Sequence, residues 1–456
     1  MSSSESNRQP TSLRVSFSTR LGFVLAAAGS AVGLGNIWSF PTQAAQNGGA
    51  AFVVMYLALS LLLAYPVLIA ELVIGRYGQS NPITALERLP FNHRWRTLTK
   101  TTGIVAILFV CLIYSFYSIV GGWLLGFTLS SAFAIIGLDN ISLWLVEFSV
   151  ARNLIMATLF IGLTILVVNG GVKEGIERWS GRLMPALIIL LIGLIAFVLT
   201  REGATEGLKH YLIPDFSRIN SQLVMSALGQ AFFSMSLGVG VMIVYGSYLK
   251  RDANLPITAL QVCFLDTGIA FLAGLLIIPA LFVAQNLGVS IFLPNGELVN
   301  SDTLVFEVLP ALFQSMGPSG IFVALAFFSL MTIAALTSSI SMLEAPVSCM
   351  TERFRVNRTR SCVLVSLSVL IITALIIVNF DLLFNAVITL TTQYAQPINS
   401  LLICIYAGWL MCRNQKLQEI KKGWPDVENS LFWKIWPWHI RLVCPLLIAG
   451  IIIIQA

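Results

Sequence analysis

The stretch "AAAGSAVGLGNIWSFP", residues 26–41, decides how this chain folds: it sets three glycines, Ser30 and Asn36 inside an otherwise apolar run. A run of about 20 apolar residues reads as a membrane-crossing helix. In lipid, backbone that gives up its own hydrogen bonds survives only where protein or a water-filled cavity satisfies it. The interruption therefore predicts a cavity that holds something.

The rest of the chain supports a membrane setting. Of 456 residues, 57% are hydrophobic and only 11% charged, well outside the composition of soluble globular domains. Apolar segments fall at 18–40, 47–75, 101–131, 152–169, 181–200, 221–249, 255–284, 318–350, 361–379, 382–412 and 435–456. This predicts an all-α polytopic membrane protein of 11 transmembrane helices. The polar start "MSSSESNRQPTSLRVSFSTR" runs directly into the first apolar segment, so no cleavable signal peptide is expected. The seven cysteines lie in or beside apolar segments without metal-ligand spacing and read as packing residues.

Charge placement gives an orientation. Of the 27 Lys and Arg residues, all but Arg152, Arg201, Lys209 and Arg218 fall on the side that carries the N-terminus. Positive charge stays on the cytoplasmic side, so the N-terminus is expected inside and the C-terminus outside. The formal charge of +6 thus serves topology, and no nucleic-acid partner is expected. The aromatic stretch "WPDVENSLFWKIWPWHI" (424–440) fits an interfacial belt.

A second interruption lies in the sixth segment, at "GQAFFSMSLGVGVMIVYGSY", residues 229–248. Small residues also let helices approach closely, so one break alone is equally a packing feature. Two breaks, in segments one and six, are corresponding members of two five-helix halves, the sequence pattern of a transport site between inverted repeats. The division read from this is a tail at 1–17, halves at 18–200 and 201–412, and a linker with the last helix at 413–456.

Unwound helix exposes carbonyl oxygens and two half-helix ends, which together suit a zwitterion and a cation. Hard cations prefer oxygen ligands. Asp266, in "QVCFLDTGIAFLAG", places a carboxylate mid-span, where charge is expensive and marks function. An ion channel is the competing class, but no charged ring or filter repeat supports it. Only His93, His210 and His439 are present, all in predicted loops or interfaces, which argues against a histidine-based enzyme or a buried zinc site. A transport-silent amino-acid sensor keeps the same binding residues; flux alone separates it.

The motifs "RLGFVLAAAGSAVGLGNIWSFP", "NGGAAFVVMY", "ELVIGRYG", "GQAFFSMSLGVG" and "ALTSSISMLE" resemble the neurotransmitter:sodium symporter family, in particular its bacterial eleven-helix amino-acid transporters. The resemblance implies sodium-coupled import of a small hydrophobic or aromatic L-amino acid by alternating access, across a bacterial inner membrane. Proline or a betaine is the alternative substrate. It implies a first sodium at Ala31, Asn36, Ser234 and Asp266, completed by the substrate carboxylate, and a second at Gly29, Val32, Ala334, Thr337 and Ser338. The substrate pocket it implies is Ala31, Leu34, Gly35, Ile113, Tyr117, Phe233, Ser234, Ser236, Val239, Ser338 and Met342.

Departures from the family pattern matter too. Asp266 stands where chloride-dependent members carry Asn, and Ala270 where they carry a chloride-binding Ser, although Tyr56, Gln230 and Ser234 match other chloride positions; chloride is therefore not expected to be required. Gly33 replaces the aspartate of monoamine carriers, and Val239 replaces the phenylalanine of the family's leucine carrier. The outer arginine–acid pair is replaced by Ser39 and Phe384, leaving Tyr117 and Phe233 as the lid. The inner gate keeps Arg14 and Glu352, with Ser247, Tyr248 and Glu344 beside them. Glu71 is expected to hydrogen-bond the unwound backbone of helix six. No motif encodes an oligomeric state.

Overall fold

The computed structural model describes residues 15–89, 93–288 and 304–455. Among them every regular element is helical. The first helix, α1 (Arg20–Ala31), starts at an N-cap, where Thr19 Oγ1 accepts from Gly22 N at 2.9 Å. It ends at Val32, whose backbone is extended, and α2 (Gly35–Gln46) resumes at an angle of 56°. Then come α3 (Ala50–Gly78), α4 (Arg94–Ile135), α5 (Val150–Asn169) and α6 (Val172–Leu199).

The second interrupted span is α7 (Ser221–Ser234) and α8 (Val241–Ser247), separated by residues 235–240. The chain continues with α9 (Leu255–Asn286), α10 (Gly317–Arg353), α11 (Arg358–Val378) and α12 (Phe380–Leu410). A short α13 (Arg413–Lys421) then turns by 98°, and α14 covers 431–455. Among the described residues seven helices are long and apolar enough to cross a membrane, or nine counting each bent pair as one span.

Close helix approach depends on glycine. Gly75 of α3 faces the Ile243 carbonyl of α8, where an added Cβ would sit 2.0 Å from that oxygen, and Gly246 of α8 meets Leu72 in the same way. The two backbones therefore touch, and α8 moves only with α3 or by breaking this contact. Elsewhere in the bundle α4 lies along α10.

Irregular turns find outside partners, as buried backbone must. Helix α3 widens at Ser60–Ala64 ahead of Pro66, which frees carbonyls. The His439 ring N–H of α14 donates to the Leu62 carbonyl at 2.6 Å, and Trp436 Nε1 donates to the Pro66 carbonyl at 3.2 Å. At the end of α3, buried Arg76 donates to the carbonyls of Ala253 and Glu419 and pairs with the Glu419 carboxylate.

Candidate functional site

The two interruptions meet. At the first, Gly33 N donates to Asn36 Oδ1 at 3.0 Å and Leu34 N to Tyr117 Oη at 3.2 Å. Side chains thus replace the helix's own ladder. At the second, Ser236, Gly238 and Gly240 all have positive φ, at 51°, 81° and 76°. For a serine this is a strained backbone, tolerated where the surroundings over-determine it. Glu71 Oε1 accepts from Gly238 N at 2.7 Å, and Asn399 Nδ2 donates to the Gly238 carbonyl at 2.9 Å. Glu71 therefore takes the supporting place read for it from the sequence.

Asp266 lies beside both breaks and is 0% exposed. Its carboxylate accepts from Asn36 Nδ2 at 2.7 Å, from Ser234 Oγ at 2.9 Å to each oxygen, and from Tyr56 Oη at 3.4 Å. No lysine, arginine or histidine pairs with it among the described residues. A buried carboxylate without a cationic partner carries a large desolvation cost unless a cation joins it. Around the carboxylate stand the Ser234 and Tyr56 hydroxyls and the Asn36 amide, whose nitrogen faces Asp266 while its Oδ1 accepts from Gly33 N. Among the described residues no three His, Cys, Asp or Glu side chains converge. A carboxylate with hydroxyl and amide neighbours, and no converging imidazole or thiolate, suits a hard cation and not a transition metal.

A second oxygen cluster lies where α1 touches α10. Ser338 Oγ sits 3.3, 3.1 and 3.1 Å from the carbonyl oxygens of Gly29, Ser30 and Val32. Thr337 Oγ1 donates to the Ala334 carbonyl at 3.0 Å. A Cβ on Gly29 would lie 3.3 Å from Thr337 Cβ, so glycine lets the two helices close on this point. The five residues Gly29, Val32, Ala334, Thr337 and Ser338 are thus gathered together.

Between the breaks is a cavity lined by Ala31, Leu34, Gly35, Ile113, Tyr117, Phe233, Ser236, Val239, Ser338 and Met342, joined by Ser30, Gly33, Val110, Val241 and Gln396. Ser234 turns instead to Asp266. The free space is about 20 Å³, room for about one water, so a larger guest enters only as the walls separate. Gln396 was missed from sequence: it lies in "TTQYAQPINS" (391–400), where polarity does not reveal which side chain turns inward.

On the side of the cavity toward α2, Tyr117 and Phe233 form its wall, while Ser39 Oγ donates to Gln230 Oε1 at 2.7 Å. Phe384 stacks on Phe380 at 4.5 Å and packs near Trp123 at 5.8 Å. Ser39 and Phe384 therefore engage different neighbours, and Phe306 joins Trp123 to Trp38 of α2 in the same aromatic cluster.

Toward the N-terminal end, Arg14 lies outside the described residues. Glu352 accepts from Asn81 N at 2.8 Å, Asn81 Nδ2 at 3.0 Å and Ser80 Oγ at 3.2 Å. Ser247 Oγ donates to the Val244 carbonyl within its own helix. Tyr248 Oη donates to Glu344 Oε1 at 2.6 Å, and Glu344 is paired with Arg358 at 2.5 Å. Arg358 also donates to the Val168 carbonyl from Nε and Nη2. Sequence reasoning missed this arginine, because a basic residue at a helix end reads as an interfacial charge.

Comparison with known proteins agrees with this architecture. The family model described as "Sodium:neurotransmitter symporter family" matches residues 14–144 and 140–456. An uncharacterized sodium-dependent transporter of Bacillus subtilis, YhdH, is 34% identical over 449 residues, covering 95% of this chain and 96% of the relative. The sodium- and chloride-dependent GABA transporter 2 of Bos taurus is 27% identical over 408 residues, covering 78% and 65%. A solved structure of MhsT in complex with L-phenylalanine superposes with a TM-score of 0.83 at 34% identity, covering 96% of this chain and 99% of that one. The chain is an integral membrane protein that belongs to the sodium:neurotransmitter symporter family.

Proposed function

We propose that this protein imports a small hydrophobic or aromatic L-amino acid together with sodium, by alternating access. The observation that carries the reading is the buried Asp266 carboxylate, set without a cationic partner among the described residues where two interrupted helices meet. A first sodium is held by Asp266, Asn36, Ser234 and the Ala31 carbonyl, with the substrate carboxylate completing its shell. A second sits at Gly29, Val32, Ala334, Thr337 and Ser338, bridging α1 to α10. The Tyr117 hydroxyl, which accepts from Leu34 N at the cavity wall, donates to the substrate carboxylate in this reading.

In this reading the eleven apolar segments form two inverted five-helix halves at 18–200 and 201–412, followed by a linker and last helix at 413–456. The unwound parts lie at the membrane midplane, the N-terminus faces the cytoplasm and the C-terminus faces outward. Arg14 and Glu352 close the inner path, while Tyr117 and Phe233 cap the outer one. Two sodium ions carried inward with a neutral zwitterion move two charges, each driven by about 2.3 kcal/mol per 100 mV. Sodium must favour one open form for this to become coupling.

Thermal unfolding of the purified protein tests the reading, since a ligand that binds only the folded state raises its melting temperature. L-phenylalanine is expected to stabilise in sodium chloride and not in potassium chloride; equal stabilisation in both salts removes sodium from the account. Asp266 supplies a fixed negative charge, so sodium gluconate is expected to support the same shift and the same uptake as sodium chloride. Collapse of uptake in gluconate overturns chloride independence.

A further inference from the structure

The cavity wall is apolar at Val110, Ile113, Val239, Val241 and Met342, and its polar side chains other than Gln396 are the hydroxyls of Ser30, Tyr117, Ser236 and Ser338. Gln396 of α12 lines the same space, is 3% exposed, and its Oε1 has no hydrogen-bond partner. The amide cannot simply turn over. Its Nε2 donates to the Leu237 carbonyl at 3.4 Å, and the reversed amide would set two oxygens against each other. Leu237 belongs to the interrupted stretch of the α7–α8 span, so the unwound backbone fixes which end of the amide is left over. What remains is a bare acceptor. Buried acceptors are almost always satisfied, and leaving one unpaired costs about 1–3 kcal/mol.

We propose that Gln396 is a specificity-determining residue whose Oε1 accepts a hydrogen bond from the substrate's side chain, favouring an aromatic amino acid that carries a donor, such as an indole N–H. This rests on the amino-acid reading above and narrows it. The apolar wall asks for a large, water-shedding body, and the unpaired Gln396 acceptor asks for a donor on it. An indole supplies a donor and no acceptor. A site built around a hydrogen bond discriminates strongly against an isostere that lacks the donor.

The probes are L-tryptophan and L-3-benzothienylalanine, in which sulfur replaces the indole N–H at nearly the same size, with L-phenylalanine as the reference. Affinities are measured on the full-length protein in sodium by thermal shift and by competition for uptake. With no acceptor in the pocket, the more apolar benzothienyl compound would bind as well or better. The proposal expects tryptophan to bind at least tenfold tighter in the wild type, and the ratio to fall to about one or invert in Gln396→Met and Gln396→Leu. Equal affinities in the wild type, or a preference that survives both substitutions, overturns it, and the wild-type comparison stands even if the variants fail to fold. Sodium-dependent stabilisation by phenylalanine with no tryptophan preference rejects the role of Gln396 while leaving amino-acid binding intact. Stabilisation by none of the three rejects both.

Discussion

Asp266→Asn is expected to weaken sodium binding by about 100-fold or more, read as the sodium concentration that half-saturates the phenylalanine-induced thermal shift. The substitution keeps the shape and one oxygen and removes only the charge. At an effective dielectric constant of about 20, two unit charges 4 Å apart attract by about 4 kcal/mol, so loss of even part of that term reaches this size. The hydrogen bonds from Asn36, Ser234 and Tyr56 stabilise a carboxylate; they cannot stand in for a cation's counter-charge. An unchanged sodium titration would remove Asp266 from the ion site.

Gly238→Ala should be equally damaging, for a reason of geometry. Gly238 has φ of 81°, and an added Cβ would lie 2.4 Å from the Gln396 carbonyl oxygen and 3.1 Å from Ser400 N. Both obstacles are backbone and cannot rotate away. The left-handed conformation alone costs a side-chain-bearing residue roughly 1–2 kcal/mol, and displacement of Gly238 N from Glu71 leaves a buried carboxylate without its donor. A loss of more than about 2 kcal/mol is expected, with a lower melting temperature and no sodium-dependent phenylalanine shift. Gly229→Ala is the matched control. It lies in the regular α7 with no atom within 4 Å of an added Cβ, so it should be neutral or slightly stabilising. Equal tolerance of both changes would mean that the interruption is not a built feature.

These cases also show what could be read without coordinates. The interruptions at 26–41 and 229–248 were legible because glycine and serine are conspicuous in an apolar run, and Asp266 because a mid-span charge is rare. Residues whose meaning depends on a distant partner were not. Arg358 reads as one more basic residue at a helix end until Glu344 and the Val168 carbonyl are set beside it. Gln396 belongs to a polar stretch with no period, so only packing against Leu237 reveals that it turns inward. Glu177 accepts from Ser18 N at 2.7 Å and Thr19 N at 3.1 Å, tying the start of α1 to α6 across more than 150 residues of chain. Local propensity carries no trace of such long-range caps, whereas an interrupted apolar run is itself a local signal.

Everything turns on whether the oxygen cluster at the two breaks couples an amino acid to sodium. The direct test is uptake of radiolabelled L-phenylalanine into proteoliposomes loaded with potassium and diluted into either sodium or potassium buffer. Accumulation above the external concentration in sodium, abolished in potassium and by a sodium ionophore, is the predicted result; uptake that only equilibrates, at the same rate in both buffers, would contradict it.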